Sequence, residues 1–114
     1  MPLTKSFNET VKARIQQSAR FRRALLREAV GCMISGDLET GKSILRKYIN
    51  GTIGFIQLGA DLGRSPKVLM RMLGPKGNPQ ARSLFEIVAY LQKMEGTVLE
   101  VVDSAAASTA DVPA

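Results

Sequence analysis

With no histidine and a single cysteine, Cys32, the chain has few side chains suited to catalysis. General acid-base work would fall to scattered carboxylates, and no nucleophile stands beside a recognisable base. The usual zinc spacings are absent, and a lone cysteine rules out an internal disulfide. The GPKGN stretch is not a nucleotide-phosphate loop, because it lacks the longer glycine-rich spacing that ends in Lys-Ser/Thr after a strand. The sequence therefore reads as a binding protein, not an enzyme, with no cofactor and no metal. What remains is the chemistry of cations. Between Leu62 and Phe85 the charged residues are Arg64, Lys67, Arg71, Lys76 and Arg82, with no Asp or Glu among them. A surface of one sign attracts a polyanion such as the phosphates of nucleic acid. The chain as a whole carries a net +6 without a long charge run, which points to an ordered basic face. An ordinary solvated face is the bland reading of Lys67 and Arg71, and the length of the acid-free stretch argues against it. Tyr48 and Tyr90 do not form a stacking platform, so a duplex is favoured over a single strand.

Such cations read sequence only if helices hold them in place. Ser65 followed by Pro66 is a helix start: the hydroxyl can cap free N–H groups, and proline at the first helical position loses no bond. On a 3.6-residue wheel Leu69, Met72 and Leu73 share one side and Lys67, Met70, Arg71 and Gly74 the other, so the first face packs and the second is free. Upstream, Phe55 to Leu62 forms a short helix with Ile56, Leu58 and Leu62 expected to be buried, and Gly63 ends it. Only Gly63, Arg64 and Ser65 separate the two helices, and Gly59 lets the second cross closely; this is the spacing of a helix-turn-helix. In that geometry Ser65, Lys67, Met70 and Arg71 face the major groove of double-stranded DNA. Arg71 can pair with guanine O6 and N7, Lys67 makes a single contact, and Met70 meets a thymine methyl. Lys76, Asn78 and Arg82, in the loop and at the next helix start, would meet phosphates, helped by exposed N–H groups at Lys76, Gly77 and Asn78.

The run LMRMLGPKGNPQARSLFEIVAYLQ resembles the recognition helix, GNP loop and following helix of the HigA-type addiction-module antidotes, small proteins of the lambda-repressor-like superfamily. The similarity extends roughly from Phe21 through Val101, taking in ISGDLETGKSILRKYING and GTVLEV, and RMLGPKGNP is its most specific part. The resemblance implies a compact helical repressor of its own operon, usually a homodimer, that often neutralises a RelE-like ribonuclease toxin. Arg64 departs from the pattern, since its turn position is commonly a small apolar residue; the departure either opens the turn to solvent or recruits Arg64 to phosphate. The rival reading keeps the fold but makes the chain a protein-interaction module that neutralises a toxin with little DNA binding of its own.

At 114 residues and 45% hydrophobic the chain can bury one core. The expected fold is all-α, a lambda-repressor-like helix-turn-helix bundle over residues 37–102. N-terminal helices precede it over 7–36, behind a flexible Met1–Ser6. The first helix starts near Phe7 with Asn8 as its cap and Phe7, Val11 and Ile15 at helical spacing. The second, Ala19 to Ser35, carries Phe21, Leu25, Ala29 and Cys32 on one stripe with Leu26, Val30 and Met33 beside it, and Arg20, Arg22, Arg23 and Arg27 on the remainder. Cys32 reads as an inert buried thiol. Asp37 caps Leu38 to Asn50, whose apolar face is Leu38, Ile44, Leu45, Tyr48 and Ile49. The bundle closes with Arg82 to Glu95, where Leu84, Ile87, Val88, Leu91 and Met94 repeat at three and four. Thr97–Val102, β-branched after a helix-breaking Gly96, reads as a short strand and as the seam of a homodimer. The tail from Asp103, with small residues and two acids, reads as disordered. No signal peptide or membrane-length apolar run is present, so the expected location is cytoplasmic. A toxin would be bound outside Phe55–Arg82, by Phe7–Ser35. That assignment sits uneasily with charge, since Met1–Asn50 holds ten Lys or Arg against Glu9, Glu28, Asp37 and Glu39, a net +6.

Overall fold

The structure is a computed structural model that describes residues 2–103, with side chains from residue 9 onward. Six helices follow one another: α1 (Pro2–Gln17), α2 (Ala19–Ile34), α3 (Leu38–Gly51), α4 (Phe55–Leu62), α5 (Pro66–Met72) and α6 (Ala81–Glu95), with no strand among the described residues. The fold is an all-α bundle. No helix among the described residues is long and apolar enough to cross a membrane.

Local chemistry sets the boundaries. Ser18 alone separates α1 from α2, and its extended backbone lets its hydroxyl accept the Phe21 N–H at 3.1 Å. Asp37 caps α3 by accepting the Thr40 N–H at 3.2 Å, a bond that holds the Asp37 carboxyl below its usual pKa. Gly63 and Gly96 end α4 and α6 with φ of 69° and 71°, the left-handed conformation that costs glycine nothing. Two expectations change at the N-terminus. Helix α1 begins at Pro2, so Pro2–Ser6, expected to be flexible, are helical, and Asn8 lies inside the helix. Proline at the first helical position makes that earlier start cheap.

One core joins every helix from α2 onward: Leu26 and Ala29 of α2, Leu45, Tyr48 and Ile49 of α3, Phe55 and Leu58 of α4, Leu69 and Leu73, and Leu84, Ile87, Val88 and Leu91 of α6. Each such aliphatic side chain stabilises the fold by about 1.5–3 kcal/mol through burial. Ile15 of α1 is also buried, set against Gly51 at the end of α3. The expected Phe7 contact lies outside the described residues. Two apolar positions that the helical repeat places inward do not enter the core. Ile56 is 80% exposed, because the buried face of α4 is Phe55, Leu58 and Gly59, with Leu62 half-buried, and Ile56 lies a hundred degrees from it. Met94 is exposed at the last turn of α6.

Glu95 ties α6 to α2 and α3. Both its oxygens accept from Arg22 Nε, at 3.0 and 3.1 Å, and Tyr48 OH donates to it as well. Arg22 also donates to the Ile15 carbonyl at 2.9 Å. Arg22, expected on the solvated side of α2, is thus a structural ion-pair partner. The Tyr48 hydroxyl is pushed well above its usual range, first by burial and then by its bond to Glu95. Cys32 is half-buried and free, its thiol raised first by burial and then by Glu28 and Asp37.

The strand expected over Thr97–Val102 is absent. The segment runs without regular structure along α6, Leu99 turned toward the core and its N–H held by the Gln92 side chain at 2.8 Å. A β-branched composition favours extended backbone, but a strand needs a neighbouring strand, and the described chain supplies none. The tail assignment beyond Asp103 lies outside the described residues.

Candidate nucleic-acid interface

Helices α4 and α5 meet through the three-residue turn Gly63–Ser65. A methyl group placed on Gly59 would lie 2.5 Å from the Arg64 carbonyl oxygen and 3.3 Å from the Pro66 nitrogen, so the close crossing depends on that glycine. Leu69 and Leu73 are fully buried and Met72 half-buried, which fixes the roll of α5. Lys67, Met70 and Arg71 are all exposed on its outer side, together with Ser65 at its start. Ser65 occupies the cap position with extended backbone, φ −65° and ψ 135°, but its hydroxyl makes no capping bond. The expected cap is therefore one of position and not of bonding, and the hydroxyl stays available at the surface. Gly74, placed on the outer face by the wheel, lies past the end of α5 at Met72.

The loop after α5 is held from beneath by a residue that sequence reasoning passed over. Lys42 of α3 is only 1% exposed. Its ammonium donates to the Gly74 carbonyl at 3.0 Å and the Gly77 carbonyl at 2.7 Å, and lies 3.0 Å from Glu39 Oε2. Arg46, one turn on, donates to the Leu73 carbonyl at 3.2 Å. Two cations of α3 thus satisfy carbonyls at the C-terminal end of α5 and in the loop, where the helix dipole is negative. The Gly77 N–H is consumed inside the loop by the Gly74 carbonyl at 3.0 Å, so of the three amides expected to be free, those of Lys76 and Asn78 make no backbone bond among the described residues. Side chains Lys76, Asn78 and Arg82 are exposed.

Arg64 behaves differently. Its Nε lies 3.1 Å from Glu86 Oε1 of α6, so the acid-free stretch acquires one carboxylate through the fold. Both groups are partly exposed, and such a pair is weak enough to open for a phosphate. A second basic surface lies at the other side of Arg46: a cleft of about 270 Å³ between α1 and α3, lined by Lys12, Arg46 and Lys47 with no carboxylate. Its signal was present as the positive N-terminal half, but only the α1–α3 packing brings Lys12 to Lys47. Lys42 had a signal too. The spacing Leu38, Lys42, Leu45, Ile49 puts it on the apolar stripe of α3, where a lysine must find oxygens. Among the described residues no group of histidine, cysteine and carboxylate side chains could hold a metal.

Set against protein-family models, curated proteins and solved structures, the chain matches none of them.

Proposed function

We propose that this protein is a sequence-specific double-stranded DNA-binding repressor of the HigA-type antidote class, acting as a cytoplasmic homodimer and as the antitoxin beside a RelE-like toxin. The observation that supports it most is the outer face of α5: Ser65, Lys67, Met70 and Arg71 are exposed on a helix whose inner face is locked, with Lys76, Asn78 and Arg82 around its end. A rigid helix with polar and cationic groups on its free side suits base edges in a major groove, and flanking cations suit the strand's phosphates. Two copies would read half-sites about 34 Å apart. The antidote role and its binding region, Phe7–Ser35, rest on the resemblance alone, and a small basic ribonuclease-like reading frame adjoining the gene would support them.

The two groups of residues should fail differently. Replacing Arg71 by Ala should cost about 1–3 kcal/mol on a fragment of the protein's own promoter and little on unrelated duplex. Lys76→Ala should weaken both and lower the salt slope by about one. Titrations on both duplexes at several salt concentrations measure this, and equal losses on the two for Arg71→Ala would remove it as a base reader.

A further inference from the structure

One apolar surface of the molecule has no residue of α5 in its lining. Helices α2 and α6 and the segment after Gly96 enclose an open groove of about 630 Å³ whose floor includes Val88. Its rim carries Ile34 at 60%, Phe85 at 50% and Val98 at 82% exposure, with Val101 beside them. A contiguous patch of this kind on a small chain marks an interface. Two opposite charges also line it, Arg27 on α2 and Glu100 on the extended segment, and neither makes an ion pair within the described residues.

We propose that a second copy of this chain fills this groove about a two-fold axis, groove against groove, with Arg27 of each copy paired to Glu100 of the other. A two-fold interface brings one patch onto itself, so it needs each charge and its opposite on the same surface; this groove has both. An acidic or a basic partner protein would leave one of the two facing a like charge. The proposal replaces strand pairing as the means of assembly: the segment 97–102 contributes side chains to a helical groove. It rests on the dimeric part of the proposed function and is independent of DNA binding.

Sedimentation of the full chain over a range of concentrations, without DNA, tests it. The wild-type protein should be a dimer, and Phe85→Glu should be a monomer with an unchanged helical circular dichroism spectrum. Arg27 and Glu100 are both exposed, so their replacement spares the core. Arg27→Glu and Glu100→Arg should each raise the dimer Kd by at least about tenfold, and an equimolar mixture of the two should restore dimerisation, since every pair in the mixed dimer is again opposite in sign. A monomeric wild type, unchanged dimerisation in all three variants, or a mixture no tighter than its components would overturn the proposal. A shift of the promoter fragment reports separately on DNA. A dimer that fails to shift it counts against the DNA reading alone, and a monomer that shifts it against the two-fold groove alone.

Discussion

Replacing Lys42 by Met tests whether the loop beyond α5 is built from beneath. Methionine matches the length of the lysine stem and fills the same space, so the change removes the ammonium with little loss of packing. Two hydrogen bonds to backbone carbonyls disappear, at 3.0 and 2.7 Å. Bonds to a charged group contribute about 1.5–3 kcal/mol each, or about 3–6 kcal/mol together before desolvation is counted. Methionine avoids the cost of burying a charge; if that offsets about half of the gain, a net destabilisation of about 1.5–3 kcal/mol is left. At about 4–8 °C per kcal/mol for a domain near this size, Tm should fall by about 6–24 °C. The lost protection should be local as well as global. The Gly77 amide, whose partner is the Gly74 carbonyl, should exchange hydrogen faster than the amides of α2. Glu39→Gln is the control, because the Glu39 carboxylate is mostly exposed and its pair with Lys42 contributes less than about 1 kcal/mol. Thermal unfolding by circular dichroism and hydrogen exchange by mass spectrometry measure both effects. A Tm lowered by less than about 2 °C with loop protection unchanged would refute the anchoring role.

Gly59→Ala should destabilise the fold by about 1–3 kcal/mol in urea unfolding, since the added methyl would sit 2.5 Å from a backbone oxygen that cannot rotate away; a loss below about 0.5 kcal/mol would mean that the α4–α5 crossing relaxes freely. The Asp61 carboxyl, held below its ordinary 3.8 first by the Tyr90 hydroxyl and then by Gln57, should add stability that is complete above pH 3.8 and lost as pH falls through its lowered folded value. Tyr90, raised above its ordinary 10.0 by the same bond, adds stability that is complete below that value and lost as pH rises through its raised one. Tyr90→Phe should therefore flatten the stability profile at both ends, and denaturant unfolding from pH 2 to 11 showing identical acid limbs for the two proteins would contradict the pairing.

The helices were largely legible because their punctuation is local. Ser65-Pro66, Asp37, Gly63 and Gly96 act through their own backbone neighbours, and the 3.6-residue repeat placed Leu45, Ile49, Leu69, Leu84, Ile87 and Leu91 inward. The outer face of α5 followed from its inner one, so the exposure of Lys67, Met70 and Arg71 was also within reach. What escaped was decided between helices. Glu86 lies one turn into α6, and nothing in the spacing of 22 residues says that it meets Arg64. Lys42 stands on the apolar stripe of α3 in the sequence, but the oxygens that meet it, the loop carbonyls 32 and 35 residues away, are brought to it only by the packing of helices. The segment after Gly96 misled for a related reason: its β-branched residues favour extended backbone, and whether extended backbone becomes a strand depends on a neighbour that composition does not reveal.

The ion pair at Glu95 bears on how these surfaces relate. Glu95 ends α6, Arg22 opens α2 and Tyr48 stands near the end of α3, so one nearly buried carboxylate fixes the mutual placement of the three helices. Helices α2 and α6 are the walls of the apolar groove. Helix α3 carries Lys42 and Arg46, which hold the end of α5 and its loop. Helix α2 is therefore no appendage to the α4–α5 pair: through Glu95 and the shared core it is packed with the element that presents Lys67 and Arg71. Packed interiors are close to incompressible and transmit displacement between the elements they join. A connection of this kind is what the proposed two-fold reader of DNA would require, since half-site spacing would be set by the angle and distance between the proposed interface and α5, and any slack between them would be lost as sequence discrimination.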